Sequence, residues 1–454
     1  MVTARPRQTL RLVARLLGWL QTAWSICGIV LVLLLVLNAL ASWGRSRSGF
    51  DTLRGDDEFK SAAAKYGFDD LPVFAQFAAE FDDSMRLNDA GRAAFRVRWE
   101  PFSYWRSAPF QGKFHTVTPD GLRGTWRASE PTADRPTPDT QSPAAEASPT
   151  GSSPTPAPPP AAARRKRVFL FGGSTMWGQG ARDEHTIASE LAQQLAAEGV
   201  AADVFNCGQL GYVSTQELIF LERELQRGNV PDLVVFYDGV NDVGAATQRA
   251  IAGQSVHEAH RVDEFNIVYN TTLRRSAWGL VRGTPLFKTV RDLRGADKQQ
   301  IAAHWQDKSF SEVALGVLTV YNGNLRIVTS LGREFGFGVL FCWQPTVFQK
   351  ERCSALETQI RDDHQTTGDF YRLVYNGVTS IRQQRPPQYA ALASSPDFYD
   401  LSGAFNQPDW GERHVFWDFC HLTEAGNAQI ARQMLPLVRE RLARQPQSPP
   451  QSQP

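Results

Sequence analysis

Cysteine is scarce in this chain, five in 454 residues, and no two of them are spaced as a zinc-binding pair. That excludes a disulfide-stapled scaffold and a zinc finger or ribbon. A surplus of one charge is also missing. The 48 Lys and Arg residues against 47 Asp and Glu leave a formal net charge of +1, so no global field draws the protein to nucleic acid, and no nucleic-acid motif is present. The glycines at 172, 173, 178 and 180 fit neither Gly-x-Gly-x-x-Gly nor the P-loop pattern, which removes support for a nucleotide site. What the chain does have is 42% hydrophobic residues, enough for one large domain with a full core.

One long apolar run stands out. From Leu16 to Gly44 no residue is charged, and Ile26 to Leu37 is almost wholly aliphatic. At ~1.5 Å per helical residue the run exceeds a ~30 Å hydrocarbon core. It reads as a transmembrane helix over 16–44, with Trp19, Trp24 and Trp43 suited to the interfaces. Arg5, Arg7, Arg11 and Arg15 precede it, whereas Arg45, Arg47 and Arg54 follow amid Asp51, Asp56, Asp57 and Glu58. This bias favours residues 1–15 inside and the bulk of the chain outside. The rival reading is a cleaved signal peptide ending near Ala39-Leu40-Ala41; it too exports the bulk of the chain. Cys27 lies in the apolar run, Cys207 and Cys342 lie in strand-like runs as small hydrophobes, and the sequence leaves open whether Cys353 and Cys420 pair.

Beyond the run, 50–128 forms an accessory segment. Glu58 to Phe81 has the spacing of two short helices, broken near Gly67 and Pro72, and Phe95 to Trp126 is aromatic and extended. So many aromatics need a surface, either as an irregular cover on the main domain or as a substrate-facing rim. Residues 129–166 hold ten prolines between Pro131 and Pro160 and read as a disordered linker, and 444–454 reads as a disordered tail. From Arg167 the pattern alternates. Strands are expected at Val168–Phe171, Ala202–Asn206, Leu233–Tyr237 and Phe337–Trp343; helices are expected at Thr186–Glu198, Ser214–Gln226, Glu312–Phe335 and Thr423–Leu442. That rhythm implies a parallel sheet with helices on both faces. The stretch from Gly244 to Ser311 is too long for a plain connection and reads as a helical lid.

Four short blocks punctuate this frame: Phe-Gly-Gly-Ser at 171–174, Asn-Cys-Gly-Gln-Leu-Gly at 206–211, Gly-Val-Asn-Asp at 239–242, and Asp-Phe-Cys-His at 418–421. The first three follow the first three strands, and ligands of open parallel sheets collect at those carboxyl ends. Ser174 is the candidate nucleophile and needs a base in hydrogen-bond reach. His421 is that candidate, with Asp418 placed three residues before it to take the imidazole Nδ1 proton and fix the tautomer. The backbone N–H of Ser174, the N–H of Gly211 and the Asn241 amide are candidate oxyanion donors. Asp242 beside the asparagine and Gln344 at the end of the fourth strand are candidate substrate contacts; for Asp242 the plainer reading is a carboxylate that holds its loop. Gly-x-Ser-x-Gly is missing, because Met176 occupies the position of its second glycine, which sets the α/β-hydrolase elbow aside. His257 and His260 lack a third ligand nearby, so no metal site is read.

With these blocks the chain resembles the SGNH or GDSL hydrolases. The serine block is Phe171 to Gly178, the oxyanion glycine is Gly211, the third block is Gly239 to Asp242, and the last runs from Asp418 through His421 to Gly426. The aromatic segment at 105–112 also resembles one that precedes the serine block in membrane-anchored bacterial members. The resemblance covers about 167–443. It implies a flavodoxin-like three-layer α/β/α fold with a parallel sheet, and ester, thioester or acyl-transfer chemistry without metal or organic cofactor. The expected substrate is an ester-bearing saccharide or lipid of the envelope or of exported material. Two alternatives stay open at this point: an O-acyltransferase using the same residues, and a non-catalytic scaffold or polysaccharide-binding module.

Overall fold

The computed structural model describes residues 6–48, 97–127, 164–258, 261–262, 265, 281, 284–293 and 303–444. The helices expected over Glu58–Phe81, nearly all of the proline-rich linker, much of the expected lid and the tail after 444 lie outside the described residues. The chain divides into two compact units, Met1–Glu58 with His257–Asp307 and Phe59–Val256 with Lys308–Pro454. The stretch read as one lid is thus split between them.

In the first unit, a 43-residue helix spans Pro6–Ser48. Its segment Leu17–Trp43 is long and apolar enough to cross a membrane, and none of it is buried within the protein. A core helix of a water-soluble domain would have this surface covered. The helix Pro285–Leu293 packs along it, and the Leu286 N–H donates to Asn38 Oδ1 at 3.2 Å.

The second unit is built on five parallel strands: β5 (Lys166–Gly172), β6 (Ala202–Asn206), β7 (Leu233–Asp238), β8 (Gly338–Trp343) and β9 (Phe398–Asp400), preceded in the chain by the short strands β1 (Val97–Glu100), β2 (Tyr104–Ser107), β3 (Phe110–Gln111) and β4 (Thr116–Val117). Strands β5, β7 and β8 are near-continuous apolar runs because both sheet faces are covered. Phe171, Phe236 and Phe341 are successive register partners and form a cross-strand ladder, with ring centroids 5.1 and 5.6 Å apart. The order is β6-β5-β7-β8-β9. Numbered along the chain this is second, first, third, fourth, fifth, the flavodoxin-like arrangement, and its topological switch lies between β5 and β7. Helices Ile187–Ala197 and Glu424–Ala443 cover one face; Ser214–Gln226, Val240–Arg249, Phe310–Phe335 and Gln365–Gln384 lie on the other. Helix starts are capped by side chains, Thr186 accepting from Ser189 N–H, Ser309 from Glu312 N–H and Thr423 from Gly426 N–H.

The fold corrects the sequence reading in one place and adds detail to it in another. A fifth strand, β9, follows two helices, Ala355–Asp363 and Gln365–Gln384, that the expected pattern of four strands omits. The described part of the accessory segment forms two hairpins, β1–β2 and β3–β4. After the second, Arg123 bridges antiparallel to Asn206, its N–H reaching the Asn206 carbonyl at 3.3 Å, so the exposed edge of β6 is covered. The Arg123 guanidinium is buried, bonded to Asp183 at 2.7 Å and stacked 4.2 Å from the centre of the Trp177 ring.

Candidate active site

The residues singled out in the four blocks converge at the switch between β5 and β7. Strand β5 ends at Gly172, and Ser174 opens a four-residue helix, Ser174–Trp177. Strand β7 ends at Asp238, and Asn241 lies in the first turn of the helix Val240–Arg249. Because β5 and β7 are neighbours, Ser174 and Asn241 are brought side by side. The approach is close: a Cβ on Gly173 would sit 2.0 Å from Asn241 Nδ2, so any larger residue before the serine would displace the Asn241 amide.

His421 arrives from the far end of the chain, 247 residues away, and places Nε2 2.7 Å from Ser174 Oγ. Its Nδ1 lies 2.6 Å from Asp418 Oδ2. The other carboxylate oxygen, Oδ1, accepts from the Cys420 N–H at 2.8 Å and the His421 N–H at 2.7 Å, a turn that aims the acid at its own histidine. Burial on its own would raise the Asp418 carboxyl, but His421 and these N–H bonds outweigh it and hold the group well below the usual carboxylate range. Asp418 is therefore ionised at neutral pH. The donor atoms of Asp418, Cys420 and His421 lie within 4.8 Å of one another, yet the carboxylate and imidazole are already committed to each other and to backbone N–H groups, a poor fit to a metal. Cys353 and Cys420 are not joined by a disulfide.

The loop carrying this turn is fixed from beneath. Buried Glu357 accepts from the Val415 and Phe416 N–H groups at 2.9 and 3.3 Å and from Lys350 Nζ at 2.5 Å. Thr423 then caps the closing helix, whose first residue, Glu424, takes Arg182 Nε and Nη2 at 2.8 and 2.7 Å. That fork ties the segment after Ser174 to the segment after His421.

Three N–H groups are the candidate oxyanion donors. The Ser174 and Gly211 N–H groups have no acceptor among the described residues. Asn241 Nδ2 donates to the Tyr212 carbonyl at 2.7 Å, which orients the amide and leaves its second hydrogen for another acceptor. Gly211 has φ +73°, a left-handed conformation that glycine adopts without penalty. Electrostatically, the imidazole of His421 lies between an anionic carboxylate on its Nδ1 side and the serine hydroxyl on its Nε2 side.

Several contributors escape a motif-based reading. The loop 207–213 is held by the hairpin β1–β2 and the turn after β4: Gln209, wholly buried, accepts from the Ser107 N–H and donates to the Gly121 carbonyl, both at 2.8 Å. Trp105 Nε1 donates to the Leu210 carbonyl at 2.8 Å, and the Tyr212 hydroxyl meets Ser103 Oγ at 3.0 Å and the Trp105 carbonyl. Gln209 stands inside the second block and Trp105 inside the aromatic segment, so the signal was adjacent, but nothing local says that the two segments meet.

Asp242 and Gln344 are both turned inward: Asp242 holds its loop, the plainer of its two readings, whereas Gln344 departs from its reading as a substrate contact. Asp242 accepts from the Ser214 N–H and, at 2.5 Å, from the Ser214 hydroxyl. Gln344 is 3% exposed and its Oε1 accepts from Thr175 Oγ1 at 2.7 Å. Asp242 belongs to a buried acidic cluster behind the Gly239–Asn241 turn. Burial pushes Asp238 up to about 7, with Asp242 adding to the shift and Glu217 and Tyr321 opposing it. Burial pushes Asp242 up to about 6 against the Ser214 bonds, and Glu217 lies well above its usual value through burial and repulsion by Asp238.

No protein-family model matches the chain, and none of the curated proteins matches it. Among solved structures, the chain is similar to an acetyl xylan esterase, AlAXEase, at 15% identity, covering 60% of this chain and 99% of that one with a TM-score of 0.31. A carbohydrate acetylesterase family member from Sinorhizobium meliloti is similar at 16% identity, 61% and 99% coverage and a TM-score of 0.32. An acetylxylan esterase from Geobacillus stearothermophilus is similar at 15% identity, 61% and 94% coverage and a TM-score of 0.31. At such scores the likeness carries no inference about activity.

The acidic cluster makes a prediction with a definite sign. A carboxyl whose folded pKa is raised favours the folded state below its unfolded pKa of about 4, and that contribution is lost as pH rises through the folded value. For Asp238 the window closes near 7. Asp238→Asn therefore gains melting temperature relative to the parent as pH climbs from 5 to 8, measured by thermal unfolding. Parallel curves across that range would contradict the raised carboxyl.

Proposed function

We propose that the chain is a serine esterase of SGNH type. The observation that carries this reading is the continuous relay from Asp418 Oδ2 to His421 Nδ1 at 2.6 Å and from His421 Nε2 to Ser174 Oγ at 2.7 Å. Ser174 Oγ attacks the ester carbonyl carbon while His421 Nε2 removes its proton. Asp418, held ionised, stabilises the imidazolium and keeps Nδ1 protonated. The developing oxyanion takes the N–H groups of Ser174 and Gly211 and the free hydrogen of Asn241 Nδ2, each such donor contributing ~2.7–4 kcal/mol of barrier stabilisation. Collapse expels the alcohol, which receives the proton from His421. Water, deprotonated by the same nitrogen, attacks the acyl-enzyme and releases the acid and Ser174. No step calls for a metal or an organic cofactor.

In the same reading, residues 16–44 anchor the protein in the cytoplasmic membrane. Residues 1–15 stay inside, residues 50–128 serve as an accessory segment, and the hydrolase domain, 167–443, lies outside. The substrate is then an ester-bearing saccharide or lipid of the envelope or of exported material, here taken to be an O-acyl group. The arginines before the helix support this orientation.

Ser174→Ala abolishes turnover of p-nitrophenyl acetate with the thermal unfolding curve unchanged, and Asp418→Asn slows it by up to ~10⁴-fold. Full activity in the alanine variant sinks the nucleophile assignment. A phosphatase reporter fused at the C-terminus is active only if that end leaves the cytoplasm; an inactive fusion of normal abundance overturns the orientation.

A further inference from the structure

The hairpin β1–β2 holds the loop of Gly211 with one part of its surface and presents aromatic rings to solvent with the continuation of that surface. Trp105 and Trp99 are cross-strand register partners, so their side chains share one face of the hairpin with Cβ atoms about 4.5–5.5 Å apart. Trp105 is the anchored member: its N–H is bound to Leu210, its ring meets Tyr212 edge-on at 5.5 Å, and its Cζ2 would lie 3.6 Å from a Cβ on Gly211. Trp99 carries the face outward and is 70% exposed, with the Tyr104 ring 6.1 Å away. We propose that this face is a saccharide-stacking subsite, leading from Ser174 along the chain of an acylated oligo- or polysaccharide. It deepens the proposed function and rests on it for the direction in which the subsite leads.

Three features favour this occupant. First, the flat face of the Trp99 indole, with its single polar edge, suits a sugar ring, whose C–H face is apolar and whose rim is hydroxylated. Second, the presentation is rigid. Phe102 and Tyr104 hold φ of +68° and +74°, a left-handed conformation that bulky residues adopt only when their surroundings impose it. Buried Ser103 between them supplies the constraint, its carbonyl accepting from Gln216 Nε2 at 2.7 Å. Third, the tip is unsuited to entering lipid. Phe102, 71% exposed, lies under the Arg223 guanidinium at 5.5 Å, and Arg98 stands beside Trp99 in the strand; insertion would strand these charges in hydrocarbon.

The test is affinity electrophoresis of the full chain in detergent, through gels containing acetylated xylan or acetylated glucomannan. The expected result is retardation of the parent protein, weakened about three- to tenfold in Trp99→Ala and largely restored in Trp99→Phe. Equal retardation of parent and Trp99→Ala, or none of the parent by either polymer, overturns the proposal. In bilayers containing brominated lipid, tryptophan quenching that disappears with Trp99→Ala would place the ring in lipid and overturn it as well. Turnover of p-nitrophenyl acetate by the parent is scored separately. Its absence together with Trp99-dependent retardation defeats the esterase reading and leaves the saccharide surface standing.

Discussion

The 2.7 Å approach of His421 Nε2 to Ser174 Oγ is the contact on which the rest of the site depends. Two segments separated by nearly the whole sheet domain must arrive within a hydrogen bond of each other, and neither can do so alone. Ser174 is fixed by the end of β5 and by the glycine before it, packed against Asn241. His421 is fixed by Asp418, by the turn that Asp418 closes and by buried Glu357 beneath the loop. The Arg182–Glu424 fork then bridges the two sides. Each restraint is ordinary; their common product is a serine hydroxyl within hydrogen-bond reach of an imidazole.

Sheet order explains why the donors stand where they do. The switch between β5 and β7 opens a crevice at the carboxyl ends of adjacent strands. Ser174 follows one of these strands and Asn241 the other, while the loop of Gly211, after edge strand β6, closes the third side. That loop has no sheet neighbour beyond it, and hairpin β1–β2 and the turn after β4 supply the support through Gln209, Trp105 and Tyr212. The accessory segment is therefore more than a cover, since the geometry of one candidate oxyanion donor runs through it.

The central strands were legible in the sequence because β5, β7 and β8 are buried on both faces and so read as unbroken apolar runs. Strand β9 was not, since three residues give no period to read. The stripe Phe370, Tyr371, Val374, Tyr375 and Val378 carries the helical period of Gln365–Gln384, which the expected pattern of four strands leaves out. Ser174, Asp418 and His421 could be singled out because chemistry restricts which residue types do that work. The inward turn of Gln344 could not be foreseen: a polar side chain at a strand end faces cleft or core according to partners such as Thr175, which only the packed fold brings near.

The central claim is an activated serine at position 174. The most direct measurement is labelling of the full chain with a fluorophosphonate probe, followed by mass spectrometry of the modified peptide. The account predicts a single adduct on Ser174 that disappears in Asp418→Asn and His421→Ala as their bases fail. An adduct on another residue, or no adduct on a protein with its unfolding transition intact, would contradict it.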